Sequence, residues 1–169
     1  MKKSKLLVFI CSFIFLSCKK DNIETFQPIF KYDINGITKN VSFKSDFLTN
    51  GFVNFRIEGF TLLALDMLSS DTSLRFGFRL TRPDPYWTYN LSAYNSSDSR
   101  AFIIMDLNDN PKTFYSGGGV IKLTKDETKN TQDGQLKIRS GTFDLTLYDN
   151  SSNEIQLKNG FFSLPYKDN

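Results

Sequence analysis

An all-β domain, a single antiparallel β-sandwich or flattened β-barrel, is predicted by three features of this sequence. Apolar and polar residues alternate with period two, aromatic residues are abundant and led by 17 Phe, and turn signals recur at short intervals. Such alternation marks strands with one buried and one wet face.

The elements follow in chain order. "FKYDI" and "ITKNVSF" flank Asn35-Gly36, a pair that tolerates positive φ and so predicts a hairpin. "VNFRIEGF" sets Val53, Phe55 and Ile57 against Asn54, Arg56 and Glu58. "TLLALDMLSS" (61–70) is almost continuously apolar, which suits a helix or a buried strand equally. "SLRFGFRL" places Phe76, Phe78 and Leu80 opposite Arg75, Gly77 and Arg79. "AFIIMDL" (101–107) is apolar on both faces and reads as a more central strand. "GVIKLTK" and "QLKIRSG" are further strands, separated by the polar run "DETKNTQDG". "GTFDLTLYDN" buries Phe143, Leu145 and Leu147, and "NEIQLKNGFF" buries Ile155 and Leu157. Asp133-Gly134, "YDNSSN" and Asn159-Gly160 supply the remaining turns.

The first 17 residues read differently. Lys2, Lys3 and Lys5 precede an apolar run from Leu6 to Leu16, then Ser17. That run suits the core of a secretory signal peptide and falls well short of the roughly 20 residues a membrane span needs. Leu16-Ser17-Cys18 resembles the lipobox of bacterial lipoproteins, with Phe15 standing where the pattern has Leu. The resemblance implies cleavage before Cys18 and a covalent lipid, thioether diacylglycerol and palmitate-type acyl chains, on that residue. Cys18 would then serve neither catalysis nor a disulfide. Cys11, the other cysteine, leaves with the leader. The expected organisation is a signal peptide over 1–17, a lipidated polar tether over 18–27 and the β domain over 28–169. Several acyl chains anchor stably without a basic patch.

The leader also decides the charge balance. The chain has 21 basic and 18 acidic side chains, and removing Lys2, Lys3 and Lys5 leaves 18 of each. A neutral mature chain offers no general electrostatic attraction for nucleic acid.

Two longer stretches carry a second resemblance. "GQLKIRSGTFDLTLYDNSSNEIQLKNGFFSLPY" looks like the ending of a family of small Bacteroidota lipoproteins, with Gly-x-Phe opening a strand and Asn-Gly-x-Phe near the terminus. "FKYDINGITKN" resembles their opening hairpin and "TYNLS" their middle strand. The resemblance implies a lipid-anchored all-β domain at the outer membrane, on its periplasmic or its external face. It carries no catalytic signature.

Chemistry is sparse. With no His, Ser-His-Asp and Cys-His pairs are excluded, as are most catalytic zinc sites. Gly117-Gly118-Gly119 is followed by no Lys-Ser/Thr and leads into a strand, so it predicts a turn or bulge and not a phosphate loop. Paired carboxylates remain open for glycoside hydrolysis; nearly all the acids fall in turns or on polar strand faces, Asp66 between Leu65 and Met67 being the exception. Asp106, Asn108, Asp109 and Asn110 in "DLNDNP" are oxygen ligands of the kind Ca²⁺ prefers, and equally the residues of an ordinary turn.

"TRPDPYWTYNLSAY" gathers Arg82, Asp84, Tyr86, Trp87, Tyr89 and Tyr94 around the single Trp. Aromatic faces stack on sugars, Arg and Asp fix hydroxyls, and two prolines stiffen the segment. The same pattern serves a core whose end is capped by Trp87, with Tyr89 and Leu91 facing inward. The function expected is a non-enzymatic envelope module that binds a glycan, peptide or protein without a cofactor. The alternatives are an accessory lipoprotein docking on another membrane protein, a carboxylate-based hydrolase and a lipocalin-like carrier.

Overall fold

The computed structural model describes residues 26–43, 53–57, 62–69, 73–81, 87–93, 99–106, 111–131 and 134–166. All regular structure among them is strand. The strands are β1 Ile29–Ile34, β2 Ile37–Asn40, β3 Val53–Ile57, β4 Leu62–Leu68 and β5 Leu74–Thr81. They continue with β6 Thr88–Leu91, β7 Arg100–Asp106, β8 Pro111–Thr131, β9 Gly134–Tyr148 and β10 Glu154–Tyr166.

These form one curled antiparallel sheet, a half-barrel, in the order β2-β1-β10-β9-β8-β7-β5-β4-β3. The backbone of β3, at one end of this order, comes round to that of β10. The 21-residue β8 is the beam of the structure. One flank pairs with β9 over nearly its whole length. The other carries β7 along its first residues and β6 further on, from Gly119 to Lys122. Straight, it would reach roughly 70 Å; bulges after Ser116 and after Leu123 break its register and bend it.

The concave face holds the core. Phe30, Phe76 and Phe143 meet with ring centroids 4.9–5.4 Å apart, and Phe78 packs on Phe162 at 5.8 Å. Leu145, Leu147, Leu157 and Ile121 fill the space around them, fully buried. The rings occupy the concavity as a packed interior.

Most expected elements appear where the periodicity put them. Asn35 and Gly36 have φ of 52° and 75°, the conformation that joins β1 to β2 in a two-residue hairpin. β7 lies between β5 and β8, as its two apolar faces require. The ambiguous 61–70 segment is strand β4, paired on both flanks and burying Leu65 and Met67.

Two readings are corrected. Asn159-Gly160 is no turn but a bulge within β10, with Asn159 at φ 51° and the register slipping between Leu157 and Gly160. A G-x-F strand crosses there, and the slip lets the Phe143 ring lie on Gly160. The polar run after Lys125 is no loop: it stays in β8 to Thr131 and pairs rung by rung with β9. Cross-strand pairing outweighs the low strand propensity of its residues. The glycine triplet is the expected bulge, and Gly119 at φ 128° allows close approach to the backbone of Asp144 and Leu145.

Candidate functional site

The site builds up from one end of the concave face, where β8, β9 and β10 run past the last phenylalanines. Asp126 and Arg139 are direct partners across the β8–β9 ladder. Four residues beyond Phe162 and on the same face, Tyr166 of β10 reaches the same place from the other flank. The Arg139 guanidinium is buried and grips the Asp126 carboxylate twice, through Nε at 3.1 Å and through Nη2. The Tyr166 hydroxyl donates to Asp126 Oδ1 at 2.7 Å, and its ring lies 4.5 Å from the guanidinium carbon. A buried cation is tolerable only when its charge and donors are matched, and here Asp126 and Tyr166 match them.

Trp87 covers this triad. Its ring centroid is 6.0 Å from the Arg139 guanidinium carbon, and the residue is 38% exposed. Its backbone adopts φ 55°, a left-handed conformation sparsely populated by bulky residues and costing on the order of 1–3 kcal/mol. The Trp87 carbonyl accepts from Leu123 N at 2.8 Å, pinning Trp87 to β8 just where β6 begins. Indole, guanidinium and phenol thus form a fixed stack with the indole outermost. An arrangement of this kind can bind a flat or C–H-rich ligand by stacking, since the guanidinium's charge is already matched.

The other expected site residues divide. Tyr89 faces the core from β6, two residues from Trp87 and buried. It therefore does not share the Trp87 surface. Arg82, Asp84, Tyr86 and Tyr94 lie outside the described residues, as does Cys18 with its leader. Of the calcium set, Asp106 closes β7 opposite Pro111 of β8, so the stretch links hairpin strands; Asn108, Asp109 and Asn110 lie outside the described residues. Among the described residues no group of three or more acidic or sulfur ligands converges on a metal position.

Several carboxylates on the outer face are shifted, all downward. Hydrogen bonds from Thr38 (2.6 Å) and Asn159 (2.7 Å) hold Asp33 below the ordinary range. Asp149 is lowered chiefly by the Asn153 side chain, then by its backbone N–H. Glu154 is lowered by Gln156 and then by Tyr148. Each of the three is ionised at neutral pH and none is a ready proton donor.

The triad beneath Trp87 has no motif in the sequence, because Asp126, Arg139 and Tyr166 come from three strands and meet only through register. Reading Asp133-Gly134 as the turn would set Asp126 opposite Gly141; in the structure Thr131 pairs with Gly134, and that register sets Asp126 opposite Arg139. No family model, curated protein or solved structure matches this chain.

Proposed function

We propose that this protein is a lipid-anchored, non-enzymatic binding module of the bacterial envelope, tethered through Cys18 and using Trp87 as its recognition surface. The observation that carries the reading is the posture of Trp87: part-exposed, strained into positive φ and seated on a buried, charge-matched Arg139. Strain of this kind concentrates at sites of function. Among the described residues, the packed rings of the core favour a surface site over an enclosed one, and the three lowered carboxylates Asp33, Asp149 and Glu154 are not ready proton donors. The outer membrane is the expected location.

The lone Trp is its own reporter. Full-length protein in detergent is titrated with peptidoglycan fragments, neutral oligosaccharides, fatty acids and Ca²⁺ while tryptophan emission is followed. A saturable change with one ligand class, weakened in Arg139→Lys, is expected. Flat emission with every class, together with resistance to acrylamide quenching, would make Trp87 a core cap and end the proposal. Anchoring is tested separately: labelled palmitate should be incorporated by the native chain and not by Cys18→Ser.

A second reading, docking on another envelope protein, is favoured by the edge strand β2. All four of its residues are exposed, Ile37 by 59%. An exposed strand edge is a template for strand addition. A photo-crosslinker at Ile37 that captures one discrete partner in cells would favour it, and crosslinks to lipid alone would not.

A further inference from the structure

The convex face of the sheet carries a row of rings. Phe102 of β7 pairs with Tyr115 of β8, and Tyr115 pairs with Tyr148 of β9, so three aromatic residues stand side by side on consecutive strands. They alternate with residues that face the core, Ile103, Phe114 and Leu147. Neighbouring strands lie about 4.8 Å apart, so the row is roughly 10 Å across.

Beside the two tyrosines lies an open groove of about 460 Å³, within the size range of small-ligand sites. Ala93, Tyr115, Gly117, Tyr148, Asp149 and Asn150 line it. Its most exposed ring is immobilised. Tyr148 lies so close to Gly117 that any Cβ there would collide with its ring atoms. Its hydroxyl donates to Glu154 Oε2 at 2.9 Å, and the other Glu154 oxygen accepts from Gln156 Nε2 at 2.7 Å. A ring fixed in place loses little entropy when a ligand covers it.

The polar rim narrows the ligand. Asp149 spends both oxygens within its own turn, on the N–H groups of Ser151 and Asn153 and on the Asn153 amide. It demands no counter-ion, and Lys112 lies in the field of Asp149 as Lys158 does in that of Glu154, so the rim's charges are matched and offer an ionic ligand no net pull. An electron-rich ring face with a charge-matched rim suits the slightly positive C–H face of an uncharged sugar.

We infer that the Tyr115–Tyr148 groove is a subsite for a neutral, extended, β-linked oligosaccharide, laid across β8 and β9 with a sugar C–H face on the Tyr148 ring. Diequatorial β-linkages keep successive sugar rings flat, as a row of rings on a sheet requires, and the strand spacing is close to one sugar unit. The groove lies on the opposite face from Trp87 and roughly 30 Å along β9 from Arg139, so it goes beyond the Trp87 reading and does not depend on it.

The test is calorimetric titration of full-length protein in a zwitterionic, sugar-free detergent with cellohexaose and chitohexaose. Maltohexaose and a galacturonic acid hexamer serve as α-linked and anionic controls. Saturable binding of at least one β-linked hexasaccharide is expected, roughly tenfold or more weaker in Tyr148→Ala. Ala93→Trp, at an exposed position, fills the groove and should abolish binding at an unchanged melting temperature; it decides the matter if Tyr148→Ala fails to fold. Absence of binding by both β-linked hexasaccharides would overturn the inference. So would binding that survives Ala93→Trp, or a preference for either control.

Discussion

Aromatic rings lie flat on glycines at two positions inside the half-barrel and at two positions outside it. Inside, Phe143 covers Gly160 and Phe162 covers Gly141; outside, Phe102 covers Gly77 and Tyr148 covers Gly117. In all four a Cβ on the glycine would overlap ring atoms, so one packing device serves both faces. What differs is the far side of the ring. Phe143 has Phe30 and Phe76 against it and Phe162 has Phe78, so the inner rings are sealed. The far side of Tyr148 meets a groove, and the residue is 38% exposed. Equal geometry therefore yields stability in one place and an available surface in the other.

Truncation should expose this difference most strongly. Phe143→Ala leaves a cavity among packed rings and should cost about 3–5 kcal/mol in urea unfolding, whereas Tyr148→Ala should cost less than about 1 kcal/mol. Equal losses would break the distinction between the faces.

The tyrosines repeat it in their titration. Burial pushes Tyr32, against the core, from 10.0 up to about 12, while Tyr148 is raised by its hydrogen bond to Glu154. A raised folded-state pKa means the neutral phenol is favoured by folding. Its contribution is complete below pH 10 and is lost as pH climbs through the folded value near 12. Tyr32 should therefore account for about 2–3 kcal/mol of destabilisation between pH 10 and 12. Tyr32→Phe should flatten most of that slope in chemical denaturation, and Tyr148→Phe much less.

The Arg139 triad stands at one end of the concave face. Asp126→Ala strands a buried guanidinium and should cost about 2–3 kcal/mol, with Trp87 emission moving to longer wavelength as its support loosens. The smallest contrast concerns the glycines themselves. In Gly141→Ala the new Cβ meets the Lys122 carbonyl at 2.7 Å as well as the Phe162 ring, and backbone cannot swing aside, so about 1–3 kcal/mol should be lost. In Gly117→Ala only the Tyr148 ring need move. Stability should stay within about 0.5 kcal/mol while oligosaccharide binding falls.

Much of the fold was legible because it rests on period two. Phe76, Phe78, Leu80, Phe143, Leu145, Leu147 and Leu157 all face inward as their spacing implies. What alternation could not show was pairing. The polar stretch from Asp126 to Thr131 is strand because β9 lies beside it, and Asn159-Gly160 is a bulge because β1 and β9 continue past it. The candidate sites were hidden for the same reason. Trp87 was marked by being the single Trp, but Arg139, Asp126 and Tyr166 come from three strands and meet only through register. Tyr115 and Tyr148 are far apart in the chain and neighbours in the sheet.

The pairing of β1 with β10 bears on how the molecule is made. Phe30 of β1 completes a core whose other members, Phe76 and Phe143, come from the middle and the far end of the sequence. The first strand to leave the ribosome has only the four-residue β2 to hold until the last strand exists. A sheet so dependent on distant contacts gathers late and slowly. The core therefore closes only once β10 has been made and can pair with β1.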